Sequence, residues 1–116
     1  MLGGSFSLTV KFEPNTTATE FTTLVCGYDI PTGRSRTLVH YVESPGNSLQ
    51  LIGSEFPLSY RGRVSIANKT TMVISDVKFE DQGTKYYCLL EYFDPVRIRA
   101  KVVYSRKQIL TSVYSK

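Results

Sequence analysis

Apolar and polar residues alternate with a period of two through almost the whole chain, and this alternation restricts the fold more than any other feature. Phe6, Leu8 and Val10 form one such series, and turn residues such as Pro31-Thr32-Gly33 and Pro45-Gly46-Asn47 separate the segments at intervals of about ten residues. A period of two is typical of a half-buried β-strand. The sequence therefore predicts an all-β domain, which is either a two-sheet sandwich or a small barrel.

Length and charge narrow the class of protein further. The 116 residues fit one domain, and 41% hydrophobic residues are enough for a core. No apolar run approaches the roughly 20 residues of a membrane-spanning helix, and residues 1–10 lack the pattern of a signal peptide. We expect a segment of an ectodomain. The net charge of +4 comes from scattered lysines and arginines, so the chain is mildly basic and has no concentrated basic tract.

The chain has two cysteines, Cys26 and Cys88, and a single histidine, His40. These residues lack the spacing of a tetrahedral zinc site, so we expect no metal and no cofactor. Both cysteines lie in β-type sequence, which favours a disulfide that would stabilise the fold by about 4 kcal/mol and implies an oxidising compartment. The sequons at Asn15 and Asn68 predict glycosylation and also favour an extracellular location.

The residues around the cysteines occur as five motifs in a fixed order. The motifs are His40-Tyr41, Pro45-Gly46 with Leu49-x-Leu51-Ile52, Arg63-Val64-Ser65, Met72-Val73-Ile74-Ser75-Asp76-Val77, and Asp81-x-Gly83 followed by Lys85-Tyr86-Tyr87-Cys88. From about Ser5 to Tyr104 the chain thus resembles a variable-type (V-set) immunoglobulin domain.

The resemblance implies a two-sheet antiparallel Greek-key sandwich with one inter-sheet disulfide between Cys26 and Cys88. It places the domain at residues 1–104 and leaves residues 105–116 as a C-terminal extension or a linker to a following domain. Tyr86 would be the corner tyrosine.

The chain departs from the family pattern at three places. His40 stands where the family has a core tryptophan, and the chain has none, so we expect His40 to be buried beside the disulfide. One extra residue between Asp81 and Cys88 argues against the family's ion pair from Arg63 to Asp81. The last strand lacks the Phe-Gly-x-Gly motif, which excludes a rearranged antigen receptor. A tryptophan-free V-like domain is similar to invertebrate immune-type and allorecognition receptors.

Catalytic signatures are absent from the sequence, so we predict that the protein is not an enzyme. If Cys88 points inward, Tyr87 and Leu89 point outward, and the resemblance places outward residues of two other strands beside them. Tyr92 and Phe93 are expected as exposed aromatics at a turn. The predicted partner-binding residues are Val39, Tyr41, Glu43, Tyr87, Leu89, Glu91, Tyr92, Phe93, Arg97, Arg99 and Lys101, with Val103 also facing out.

Two functions fit this surface. The first is an extracellular recognition or adhesion domain of a cell-surface immunoglobulin-superfamily receptor. Its partner would be a different protein or the same domain on another cell. The second is a binder of anionic glycan or another polyanion through Arg97, Arg99, Lys101 and the Tyr92-Phe93 loop. The first predicts weak dependence on salt and no nucleic-acid partner. Each feature also has an ordinary explanation: outward tyrosines are common strand formers, one ring of the loop can fold back, and a basic strand can simply be solvated.

Overall fold

The computed structural model describes residues 3–12, 21–54, 56–105 and 107–110. Within them, alternating segments form strands and two short 3-10 turns, Leu58–Tyr60 and Phe79–Asp81. The strands are β1 Phe6–Thr9, β2 Thr22–Asp29, β3 Ser35–Ser44, β4 Asn47–Gln50, β5 Val64–Asn68, β6 Thr71–Ile74, β7 Lys85–Asp94, β8 Arg99–Tyr104 and β9 Gln108–Ile109.

These strands form two antiparallel sheets. The smaller sheet has the order β1-β6-β5, and the larger has the order β4-β3-β2-β7-β8, with β9 pairing the start of β7. One side chain in two points between the sheets, which explains the alternation in the sequence. The core is contributed by both sheets and includes Leu8, Val10, Leu24, Val39, Met72, Ile74, Tyr86 and Leu90.

The predicted all-β fold with two antiparallel sheets is confirmed, and so is the Cys26–Cys88 disulfide. The bond joins β2 to β7, which pair with each other over Thr22–Tyr28. The two cysteines stand directly opposite each other in this pairing, with their Cα atoms 4.1 Å apart. The bond therefore lies within the larger sheet instead of bridging the two sheets, because β2 is inserted between β3 and β7.

The predicted position of His40 beside the disulfide is wrong. Val39 stands opposite Cys26 and is completely buried, whereas His40 is half-buried on the other face of β3. The reason is a β-bulge: Cys26 pairs with Val39, but Gly27 pairs with Thr37, so Leu38 is an extra residue in the strand. The bulge reverses the expected parity of β3.

Tyrosines fill the centre of a sandwich that has no tryptophan. The hydroxyls of Tyr60 and Tyr86 are 2.8 Å apart in the core, and the Tyr28 ring lies 5.1 Å from the Tyr60 ring. Phe6 packs on Tyr86 at 5.2 Å between ring centroids. Burial raises the pKa of both Tyr60 and Tyr86, since the charged phenolate is disfavoured away from water.

The ion pair that the sequence argued against is present. Arg63 Nη1 lies 2.8 Å from Asp81 Oδ2, and both side chains are buried. The 3-10 turn Phe79–Asp81 directs the carboxylate inward, where it also accepts the Lys78 N–H at 2.9 Å. The extra residue is accommodated before β7 begins, in a turn where Gly83 has a φ of +84°.

The C-terminal segment contributes to the sheet. In β9, Gln108 pairs with Tyr86 and Ile109 with Lys85. Leu110 adds two backbone hydrogen bonds, donating its N–H to Thr84 and accepting the Gly83 N–H. Part of the predicted extension therefore packs onto the domain, while residues 111–116 lie outside the described residues. In the described parts of the chain, no helix has the length and hydropathy needed to cross a bilayer.

Candidate interaction surface

Strand β7 sets the two faces of the larger sheet. Cys88 and Leu90 are buried, and Tyr87 and Leu89 alternate with them on the opposite face. This is the orientation that the sequence predicts for Tyr87 and Leu89. The Tyr87 ring is covered at one end of that face by Lys107, whose Nζ lies 5.9 Å from the ring centroid and 2.8 Å from Asp29 Oδ2.

The predicted orientation of Val39, Tyr41 and Glu43 is wrong. All three stand opposite inward residues of β2 and therefore share the inner face with them. Tyr41 packs against the core, and its hydroxyl donates a hydrogen bond to Glu43 Oε1 at 3.0 Å. After the bulge, His40 and Val42 are the residues of β3 that face outward.

The last strand also has the opposite parity. Lys101 pairs with Tyr92 and Val103 pairs with Leu90, so these two residues lie on the inner side, and Arg99 pairs with Asp94 on the same side. The strand begins only at Arg99, because Pro95–Ile98 form a turn. The predicted outward stripe of Arg97, Arg99 and Lys101 with Val103 is therefore wrong.

Only one of the two aromatics expected at the turn is exposed. Tyr92 is buried, and its ring meets the Phe12 ring edge to face at 5.0 Å. Phe93 points to the outer side and is 41% exposed. The prediction of two exposed rings is wrong for Tyr92, because the alternation that starts at Cys88 continues without a break through Asp94.

The outward residues of the five strands β4, β3, β2, β7 and β8 meet in register and form what we call the outer face. One row across the sheet runs Leu49, Val42, Thr23, Glu91 and Val102. The next row runs His40, Val25, Leu89 and Tyr104.

Apolar side chains of the outer face are open to solvent. Leu49 is 55% exposed, Val102 43% and Tyr104 72%. Within the described residues, no strand or turn covers them. Sequence reasoning missed Val102 and Tyr104 because it took the wrong parity for β8. The signal that could have found them is the alternation of Val102 and Tyr104 with Val103.

The turn between β7 and β8 is held by one carboxylate. Asp94 accepts the N–H groups of Val96 at 3.0 Å and Arg97 at 3.2 Å, and it forms an ion pair with Arg97 Nη1 at 3.0 Å. The Arg97 guanidinium and these N–H groups hold the Asp94 pKa below its usual value. Ile98 follows with a φ of +52°, which is rare for a β-branched residue. The turn thereby fixes Val96 and Ile98, both strongly exposed, at the edge of the larger sheet.

No protein-family model matches the sequence, and no curated protein matches it. Comparison of three-dimensional structures gives 73 matching chains. They include the extracellular domains of the voltage-gated sodium channel beta4 subunit, whose parallel homodimer structures are described as explaining its role in cell–cell adhesion. The similarity has a TM-score of 0.54 and covers 89% of this chain and 80% of that one.

The fold is immunoglobulin-like. With 16% sequence identity, the similarity to the channel subunit concerns the immunoglobulin-like fold alone. Among the described residues, no group of three His, Cys, Asp or Glu side chains is placed to hold a metal ion. The outer face combines exposed apolar side chains with Thr23, Glu91 and His40.

Proposed function

We propose that this immunoglobulin-like domain is an extracellular adhesion or recognition domain of a cell-surface receptor and binds a protein partner through its outer face. The observation that carries the proposal is that the two in-register rows of this face contain apolar side chains open to solvent, namely Leu49, Val102 and Tyr104. Contiguous apolar surface is unfavourable in water and is typical of a binding site. Tyrosine at such a site supplies large contact area at low entropic cost.

A second copy of the domain is the first partner to test. The outer face is rich in apolar side chains, so two copies could pack these rows against each other about a two-fold axis. The homodimers of the structurally similar channel subunit support this choice, since they are described in connection with cell–cell adhesion. The V-set motifs and the absence of tryptophan favour a role in self/non-self recognition.

Two features support an extracellular location. The disulfide is typical of an oxidising compartment. Asn68 is the exposed last residue of β5, and its Oδ1 accepts both the N–H of Thr70 at 2.9 Å and the Oγ–H of Thr70 at 2.7 Å. A glycan at Asn68 would project from the smaller sheet, so it would not cover the outer face. The second sequon, at Asn15, lies outside the described residues.

The polyanion alternative has less support. It needs Tyr92 to stack on a ligand, but the Tyr92 ring is buried. It also needs Arg97 free, whereas Arg97 forms an ion pair with Asp94.

Light scattering coupled to size-exclusion chromatography over a concentration series tests the proposal. We expect self-association of the unmodified chain, and we expect Leu89→Asp or Val102→Asp to weaken it at least roughly thirtyfold, since loss of a central apolar anchor costs about 2 kcal/mol or more. Val73→Asp is the matched control, because Val73 is a half-buried valine on the outward side of the smaller sheet. Equal association of all variants would contradict the outer face as the interface. A chain that stays monomeric and fails to aggregate coated beads would contradict homophilic binding.

A further inference from the structure

Strand β3 has an open edge over Ser35–Thr37, where all three residues are exposed. On one side these residues pair with β2. On the other side β4 pairs only with Tyr41–Ser44, and one further bond runs from the Leu51 N–H to the His40 carbonyl at 2.8 Å. Beyond this bond, no described strand pairs with that edge. Unpaired backbone groups on a sheet edge are a template for another strand.

A cleft of about 900 Å³ runs along this open edge. One wall is β3 itself, and the other is the chain that leaves β4, with Leu51, Ile52 and Phe56. Leu51 and Ile52 are exposed, so this wall offers apolar contact area. The cleft therefore combines an unpaired strand with an apolar wall.

Among the described residues that line the cleft, the carriers of a full charge are two arginines. Arg34 and Arg36 line it and are exposed. Neither of them forms an ion pair in the part of the chain that the structure describes, and no carboxylate among those residues lines the cleft. Guanidinium groups bind carboxylates in a two-pronged geometry that is stronger than a neutral hydrogen bond.

We propose that an extended acidic segment of a partner protein adds to β3 as a further strand in this cleft. Main-chain hydrogen bonds to the open edge would supply affinity, as in other cases of strand addition. Side chains of a strand alternate between its faces, so acidic residues on one face can reach Arg34 and Arg36 while apolar residues on the other contact Ile52 and its neighbours. The cleft is a second binding surface, distinct from the outer face, and peptide binding there does not depend on the function proposed for that face.

Fluorescence polarisation with a labelled synthetic peptide tests the proposal. The probe has about eight residues, the length of an ordinary strand, and alternates glutamate with valine. We expect saturable binding that is lost when every second amide of the peptide is N-methylated, because these groups can no longer pair with the edge. Replacement of the peptide's glutamates by glutamine should also weaken binding.

Charge variants of the chain locate the site. Arg34→Gln combined with Arg36→Gln should weaken peptide binding by about tenfold or more, since two charge-assisted contacts are lost. Arg61→Gln combined with Arg99→Gln makes the same change in net charge at exposed positions outside the cleft and should have little effect. Val102→Asp should leave peptide binding unchanged, which separates this site from the outer face.

Three results would overturn the proposal. Equal affinity for the N-methylated peptide would show binding by charge without strand addition. Equal losses in the two double variants, or equally effective competition by heparin, would indicate a general polyanion effect. Absence of saturable binding up to about 1 mM peptide, the weak end of specific recognition, would remove the site altogether.

Discussion

The buried pair of Arg63 and Asp81 ties the loop before β5 to the turn before β7. Besides the carboxylate, Arg63 donates to the Ser59 carbonyl at 2.9 Å and the Asp76 carbonyl at 3.2 Å. Its guanidinium carbon also lies 4.8 Å from the centroid of the Tyr60 ring. Loss of the arginine would remove the charged partner of the buried Asp81 carboxylate, which is costly away from water.

Arg63→Met should therefore destabilise the fold by about 3–5 kcal/mol, the usual effect of leaving one charge of a buried pair unpaired. Urea unfolding monitored by circular dichroism would measure the change. Arg61→Met is the control, since Arg61 is exposed nearby. If both variants unfold at the same urea concentration, the buried pair makes no special contribution. A double variant of Arg63→Met with Asp81→Leu should recover part of the loss.

At the level of elements, the turn between β7 and β8 depends on the ionised form of Asp94. Because the folded-state pKa lies below the usual value of 3.8, this group stabilises the fold at pH values above 3.8. The contribution is lost as the pH falls through the folded-state pKa. The protonated Asp94 carboxyl then accepts hydrogen bonds from the N–H groups of Val96 and Arg97 more weakly than the carboxylate does.

Asp94→Ala should lower the melting temperature at neutral pH, and the difference from the unmodified chain should shrink as the solution is made strongly acidic. Thermal unfolding at a series of pH values measures this difference. Glu91→Ala is a suitable control, because Glu91 is an exposed residue of the same strand. A difference that stays constant with pH would mean that Asp94 acts without its charge.

The strands differ in how well their two faces could be predicted from the sequence. Alternation from Cys88 gives the faces of β7 correctly, because the strand continues without interruption from Lys85 to Asp94. It fails in β3, where one bulged residue at Leu38 exchanges the two faces. The bulge depends on the neighbouring strand, and the turn with the positive φ of Ile98 depends on the Asp94 side chain. Neither feature has a clear signal in one sequence.

The candidate site was accordingly predictable in part. Leu89 and Phe93 could be assigned to the outward side from their own strand. Val102 and Tyr104 could not be assigned, because their orientation depends on where β8 begins after the turn. The resemblance to an immunoglobulin domain predicted two antiparallel sheets and a bond between Cys26 and Cys88. It did not predict that β2 lies between β3 and β7.

For the whole molecule, the disulfide is the main covalent constraint. Replacement of both Cys26 and Cys88 by alanine should lower the free energy of unfolding by about 4 kcal/mol, the value expected for a loop of this length. The β-sheet signal in circular dichroism should persist below the new transition, since β2 and β7 still pair along Thr22–Tyr28. Chemical denaturation measures the change, and unfolding at the same denaturant concentration as the unmodified chain would refute it.

The same bond has a mechanical consequence. The cysteines are 62 positions apart in sequence but adjacent in the larger sheet. A pulling force that unravels the two ends of the domain would reach β2 and β7 and then pass directly across the bond. The enclosed chain, with an extended length of roughly 200 Å at about 3.4 Å per residue, would stay slack under tension. Reduction of the disulfide would release that length. Under load, the oxidised domain would therefore extend much less than the reduced domain.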